Sequence, residues 1–505
     1  MLFNGSPFLF AFLPALLLLF AGSARAGGAW PVRVLASASF FFYAWWDITA
    51  LPILLVSIGF NWLVGQRIVA AQAAGRLTAA ARAVALGVVV DLAALAYYKY
   101  SGFFVHEMLA GLGFPVAGYM APRLPIGISF FTFTQIAYLV DMGRHRTAGY
   151  GPLKYALFVN YFPHVIAGPI LHHADMMPQF NAMGARTFRR DAIIDGLGIL
   201  LVGLAKKLLL ADPLGFYANM FYSRVGQGAV PGLFESLVGV LAYALQLYFD
   251  FSGYSDMAIG ISRMFGVDLP LNFNSPYKAV SIIDFWRRWH ISLSSFLRDY
   301  LYIPLGGSRR GPARRYLNLF VTMALGGLWH GAGWTFLLWG SLHGALLILN
   351  HAWRAAVTFA LREGARHWLD HSMPARALAR GVTLACVVLA WVPFRATSLP
   401  AAISVFQGLA GHNGAALPAQ VLALMPWMQK YVVSQGTVAL LADGTVLGFA
   451  EVLVLIAAAG AIALWARNTQ ELSTRARLTL GALMLVLILQ RVLFAGDVEF
   501  LYFQF

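Results

Sequence analysis

The chain has 505 residues, of which 60% are hydrophobic and only 11% charged, with a formal net charge of +15. Soluble proteins run about 45–50% apolar and about 25% charged, so a water-soluble globular class is excluded. The basic excess does not point to nucleic acid either. Its cations fall in short stretches between apolar segments and form no single soluble basic face. Apolar runs near the ~20-residue spanning length begin at 7–22, 34–65, 84–98, 126–140 and 155–171. They continue at 192–211, 233–249, 317–350, 380–396, 447–466 and 477–494. The run at 34–65 reads as two helices around Trp45, Trp46 and Asp47. The pattern predicts an all-α polytopic membrane protein with about 11–13 transmembrane or re-entrant helices in a single membrane-embedded domain, 1–505.

At the N-terminus an apolar stretch leads to Ala24-Arg25-Ala26, which resembles a signal-peptidase site. The preceding "MLFNGSP" lacks Lys and Arg, and a second apolar run follows at once, so a retained helix is expected. Between the apolar runs lie four basic groups: Arg67, Arg76 and Arg82; Arg186, Arg189 and Arg190; Arg362, Arg366, Arg376 and Arg380; Arg467, Arg475 and Arg477. The positive-inside rule places these loops in the cytoplasm. The stretch 397–446 carries only Lys430 as a basic residue, so it and the first seven residues are expected on the exported side. The lone Cys386 sits in an apolar run and reads as a small core residue. There is no P-loop, dinucleotide fingerprint or zinc spacing, hence no expected metal. There is also no internal repeat of the kind that builds inverted-repeat transporters.

One block departs from this pattern. From Lys278 to Arg315 there are eight basic residues against Asp284 and Asp299, a local balance of +6. The text "DFWRRWHISLSSFLRDYLYIPLGGSRRGPARR" interleaves aromatics with the charges. A helix from Ile283 to Tyr302 would group Trp286, Trp289 and Phe296 on one side. Two readings stay open: an interfacial helix anchored to anionic lipid, or a surface whose Arg forks hold phosphates. "PLGGSRRGP" ends that helix. "GGLWHGAGWTF" (Gly326 to Phe336) then brings His330 into an apolar run among glycines, with His343 beyond it. Ionisable groups at membrane depth are costly and mark candidate functional sites. A third histidine, His290, follows the paired arginines.

The motifs "QLYFDFSGYSDMAIG" (Gln246 to Gly260), "NFNSPY" (Asn272 to Tyr277), "FWRRWHISLSSFLRDYLYIPLGG" and "GLWHGAGWTFLLWGSLHG" resemble the signature of the membrane-bound O-acyltransferase family. The alginate O-acetylase branch is the nearest likeness. "NYFPHVIAGPI", "SFFFYAWWD" and the ending "FLYFQF" extend it over most of the chain, with the core motifs in 246–344. The resemblance implies a fold with a central funnel or tunnel, and His330 and His290 as its characteristic histidines. It implies acyl transfer from a thioester, acetyl-CoA in this branch, with no permanently bound cofactor. Expected partners are membrane lipid and periplasmic acetyltransferases that modify an exported polysaccharide, alginate or a related exopolysaccharide. The expected location is the bacterial inner membrane.

The residues suit that chemistry. A neutral imidazole at His330 can take the proton of an attacking alcohol. Backbone N–H groups near Gly331 or the Trp329 indole are candidate oxyanion donors. Arg287, Arg288 and Arg298, with Tyr302 and Trp329, are the expected donor-binding residues. Two rival readings are D-alanyl transfer to a cell-wall polymer and a transporter whose pathway is lined by His330 and His343.

Overall fold

The computed structural model describes all residues except 117, 146–148, 167, 184–187, 419–421, 424–432, 436–445, 497 and 502–505. Arg186, Lys430, much of the stretch 419–445 and the last four residues of "FLYFQF" therefore lie outside the described residues. The described chain is helical apart from a three-residue parallel pair, Ala416–Pro418 with Val433–Gln435. Seven described helices are long and apolar enough to cross a membrane: Phe8–Ala26, Leu51–Ala73, Leu77–Leu109, Leu233–Met264, Met373–Arg395, Gly448–Trp465 and Thr474–Phe494. The protein is a multi-pass membrane protein.

Two compact units divide the chain. The first comprises Met1–Leu204, Tyr254–Asn272 and Leu472–Phe505, and the second Ala205–Gly253 and Phe273–Glu471. In the first unit the N-terminal helix is part of the core, with Phe20 wholly buried and edge-on to Phe265 at 5.2 Å. Trp30–Trp46 and Leu51–Ala73 are the two helices expected within 34–65. Each has proline in its first turn, where a missing N–H costs nothing. Asp47 closes the turn between them by accepting from the Thr49 N–H at 3.0 Å and its hydroxyl at 2.6 Å.

The run 126–140 forms the helix Ile128–Arg144, thirteen of whose seventeen residues are buried. The next run turns out differently from expectation. The run 155–171 is not a spanning helix: Pro152–Asn160 is only nine residues long and ends where the Tyr161 backbone leaves the helical region, at φ −57° and ψ 111°. Arg477 also departs from the picture of a solvated loop charge. It is buried and paired with Asp195 at 2.7 Å, beside Arg263 at 2.6 Å.

In the second unit, Gly311–His330 and Trp334–Ala360 account for the apolar run 317–350. Met373–Arg395 packs against the latter. Cys386 on that helix is half-buried, less enclosed than the core position expected for it. Lys207, 1% exposed, is held by Asp212 at 2.8 Å and Asp250 at 2.7 Å, so the carboxylate of the "YFDF" motif anchors a buried charge cluster.

Candidate active site in the second unit

His330 is the last residue of Gly311–His330, and only three residues separate it from Trp334–Ala360. The two helices fold back on each other through Gly327 and Gly340. A Cβ on Gly327 would collide with the Phe336 carbonyl oxygen and stand 3.0 Å from the Gly340 Cα. One on Gly340 would collide with the Met323 carbonyl oxygen. Backbones approach this closely only where both residues are small. The glycines around "WHG" therefore let the helices touch and so fix where His330 emerges.

The His330 ring is enclosed by aromatics and 5% exposed. It meets Trp329 and Trp339 edge-on at 5.0 Å and Phe394 at 5.2 Å, with His290 6.2 Å away. Trp339 in turn stacks on Trp391 at 5.5 Å. The structure thus brings together His330, His290 and Trp329 as the sequence suggested. It adds Trp339, Trp391 and Phe394.

His290 reaches this cluster through an unusual backbone. The continuous helix expected over 283–302 is replaced by Ile282–Trp286, Ile291–Leu297 and the wide turn Arg298–Tyr302. At the break His290 has φ 43° and ψ 55°, in the left-handed region. Among the described residues only Ser275 shares a positive φ without being glycine. Such a conformation costs an L-residue roughly 1–2 kcal/mol, and strain of this kind gathers at functional sites. The reversal turns the ring inward, where it is wholly buried and edge-on to Phe251 at 4.8 Å. His290 lies outside the spanning helices, and burial pushes its pKa down to about 3, leaving a neutral ring at cytoplasmic pH. Trp289, read as an interfacial aromatic, is buried between Phe273 at 5.1 Å and Trp391 at 5.0 Å.

His343 is wholly buried and accepts at Nδ1 from the Trp286 indole at 3.3 Å. It touches Trp339 at 5.0 Å, so that one ring lies against both His330 and His343.

The expected donor-binding residues divide into two groups. Arg288 is engaged by Asp284 at 2.8 Å and by the Asn274 carbonyl at 3.3 Å. Arg298 makes a two-pronged pair with Asp299 at 2.7 and 2.9 Å. Arg287 is exposed and has no ion-pair partner among the described residues, and Arg309, Arg310 and Arg314 are likewise exposed. Tyr302 is half-buried, and its carbonyl accepts from the Gly307 N–H at 2.9 Å, which closes the glycine turn. Trp391 and Phe394 lie in an ordinary apolar run that carries no signal of a site, whereas Trp339 lies inside the "GLWHGAGWTFLLWGSLHG" motif.

Comparisons with known proteins place the chain in a family. The family model for MBOAT, the membrane-bound O-acyltransferase family, matches residues 129–370. The peptidoglycan O-acetyltransferase of Helicobacter pylori is 41% identical over 83% of this chain and 81% of its own length. The protein named probable alginate O-acetylase in Pseudomonas aeruginosa is 42% identical over 81% of this chain and 75% of its own. The teichoic acid D-alanyltransferase of Streptococcus thermophilus is 27% identical over 45% of this chain and 57% of its own. With His330 and His290 in one aromatic pocket and relatives of this likeness over most of its length, the chain belongs to the membrane-bound O-acyltransferase family and is an acyltransferase.

Proposed function

We propose that the protein takes an acetyl group from acetyl-CoA on the cytoplasmic side of the bacterial inner membrane and passes it across for O-acetylation of an exported polysaccharide. The observation that carries this reading is the enclosure of His330 by Trp329, Trp339 and Phe394, with His290 beside it. A buried imidazole is a base that needs no metal-bound water to deprotonate an alcohol. The acceptor hydroxyl gives its proton to His330 as its oxygen attacks the thioester carbon, and the thiolate departs. His290, neutral and fixed by its backbone, orients the acceptor. Arg287 is the donor-phosphate contact the geometry favours, because its charge is uncommitted, while Arg288 and Arg298 would have to leave carboxylates. Tyr302 and Trp329 remain candidate contacts to the donor.

Relatives named for alginate and for peptidoglycan stand within one per cent of each other in identity, at 42% and 41%. The acceptor is therefore read as their common class, a polysaccharide hydroxyl on the exported side. A periplasmic acetyltransferase is the expected final carrier, since a pocket this enclosed admits a long polymer poorly. Reconstituted vesicles with acetyl-CoA on one side and polysaccharide on the other test both points. His330→Ala is expected to insert normally and to abolish acetyl transfer. Near wild-type turnover by that variant would remove the base assignment, and efficient polymer acetylation without a partner would remove the carrier.

A further inference from the structure

Trp339 and His343 hold two polar hydrogens that have no partner among the described residues. Trp339 is 1% exposed, and its Nε1–H has no acceptor among the described residues. His343 is 0% exposed and receives the Trp286 indole hydrogen at Nδ1. An indole nitrogen is donor-only, so Nδ1 must be the unprotonated nitrogen and the ring proton sits on Nε2. That Nε2 also has no partner among the described residues. Buried donors are nearly always paired, and an orphan destabilises the fold that keeps it. Here two orphans lie on touching rings, 5.0 Å between centroids, and one of those rings lies 5.0 Å from His330.

We propose that Trp339 Nε1–H and His343 Nε2–H are the oxyanion donors of the acyl transfer, in place of the Gly331 N–H and Trp329 indole suggested by the sequence. The inference rests on acetyl-thioester chemistry at His330. As the acceptor oxygen bonds to the carbonyl carbon, its proton passes to His330. The carbonyl π pair moves onto oxygen, where the two N–H groups hold it. Collapse restores the C=O bond and breaks C–S, and the thiolate leaves with the proton from His330. Base and oxyanion donors must each stand about 3 Å from neighbouring atoms of one reacting centre, which contact between the three rings allows.

The test uses the full-length protein in lipid nanodiscs. Trp339→Phe and His343→Phe keep aromatic bulk and remove the hydrogens. Each is expected to lower kcat for acetyl transfer by about 10²–10³-fold with KM little changed. His343→Gln, whose amide donates, is expected to recover part of the loss. The carbonyl stretch of isotope-labelled acetyl-CoA bound to His330→Gln should lie below its value in water, and rise when either Phe substitution is added. Trp339→Phe also trims a buried ring, so it is expected to unfold somewhat earlier than wild type from the cavity alone. The carbonyl frequency, which such a cavity does not set, decides the assignment for that residue. If wild type turns over and acetyl-CoA binds, but rate and carbonyl frequency ignore both substitutions, the donor assignment fails alone. If wild type transfers no acetyl from acetyl-CoA, the reading beneath it fails and takes the assignment with it.

Discussion

Gly327→Ala is a one-carbon perturbation whose consequence is set by backbone atoms. In an open helix the change is favourable, since Ala exceeds Gly by about 0.5–1 kcal/mol in helix interiors. At Gly327 the new Cβ would collide with the Phe336 carbonyl and stand 3.0 Å from both the Gly340 Cα and N. No rotamer change relieves such contacts, so the two helices must part. Overpacking of this kind costs typically 1–3 kcal/mol, which leaves a net loss of about 0–2.5 kcal/mol after the helix gain. Parting the helices also moves His330, three residues along, and a misplacement of about 1 Å at a reacting group costs on the order of 10²-fold in rate. The assay pairs thermal unfolding with acetyl transfer and uses Gly381→Ala as its reference. Gly381 is exposed in Met373–Arg395, and a Cβ there meets nothing within 4 Å. Gly381→Ala should be neutral or slightly stabilising with full activity. If Gly327→Ala matches it in both measurements, the glycine contact does not set the position of His330.

Three further variants test other parts of the structure. His290→Gly should be more stable than His290→Ala by about 1–2 kcal/mol, since only Ala must be forced into the left-handed region. Equal unfolding temperatures would mean the backbone there relaxes freely. Lys207→Met should destabilise by about 3–5 kcal/mol, because it strands the buried Asp250 carboxylate. Adding Asp250→Asn should restore part of that loss, and a stable single variant would show that the cluster is hydrated. Arg287→Gln should raise the KM for acetyl-CoA with kcat unchanged, whereas Arg288→Gln should mainly lower stability, having lost Asp284 and the Asn274 carbonyl. Swapped effects would exchange their roles.

Much of the helical frame was legible because apolar runs near the spanning length stand out from the polar text between them, and Asp47 divides the run 34–65 at the turn it closes. Apolarity did not tell which residues meet protein, because a residue facing lipid and one facing protein have the same composition. The run 126–140 therefore carried no sign that thirteen of the seventeen residues of Ile128–Arg144 are buried in protein. The histidines stood out since a polar ring in an apolar run needs a reason. The left-handed His290 did not, because a non-glycine residue in that region leaves no trace in periodicity. Its consequence was large: it broke the helix expected over 283–302 and turned Trp289 inward from the presumed membrane surface.

The second unit separates groups suited to binding from groups suited to reacting. Arg287, Arg309, Arg310 and Arg314 are exposed, where charge attracts phosphate but each contact is screened by water and salt. His290, Trp339 and His343 are buried, where a neutral N–H dipole acts more strongly because little solvent competes. A phosphate-bearing thioester suits both environments, with its charged end at the surface and its uncharged acetyl end among the rings. Substitutions at the arginines should then appear in KM and in salt dependence, and substitutions at the rings in kcat. The two unpaired hydrogens on Trp339 and His343 fit this division. Each lowers stability by about 1–3 kcal/mol while nothing is bound, and that loss is reversed only when an oxygen acquires charge beside them. An interior that held those hydrogens with its own acceptors would be more stable and slower.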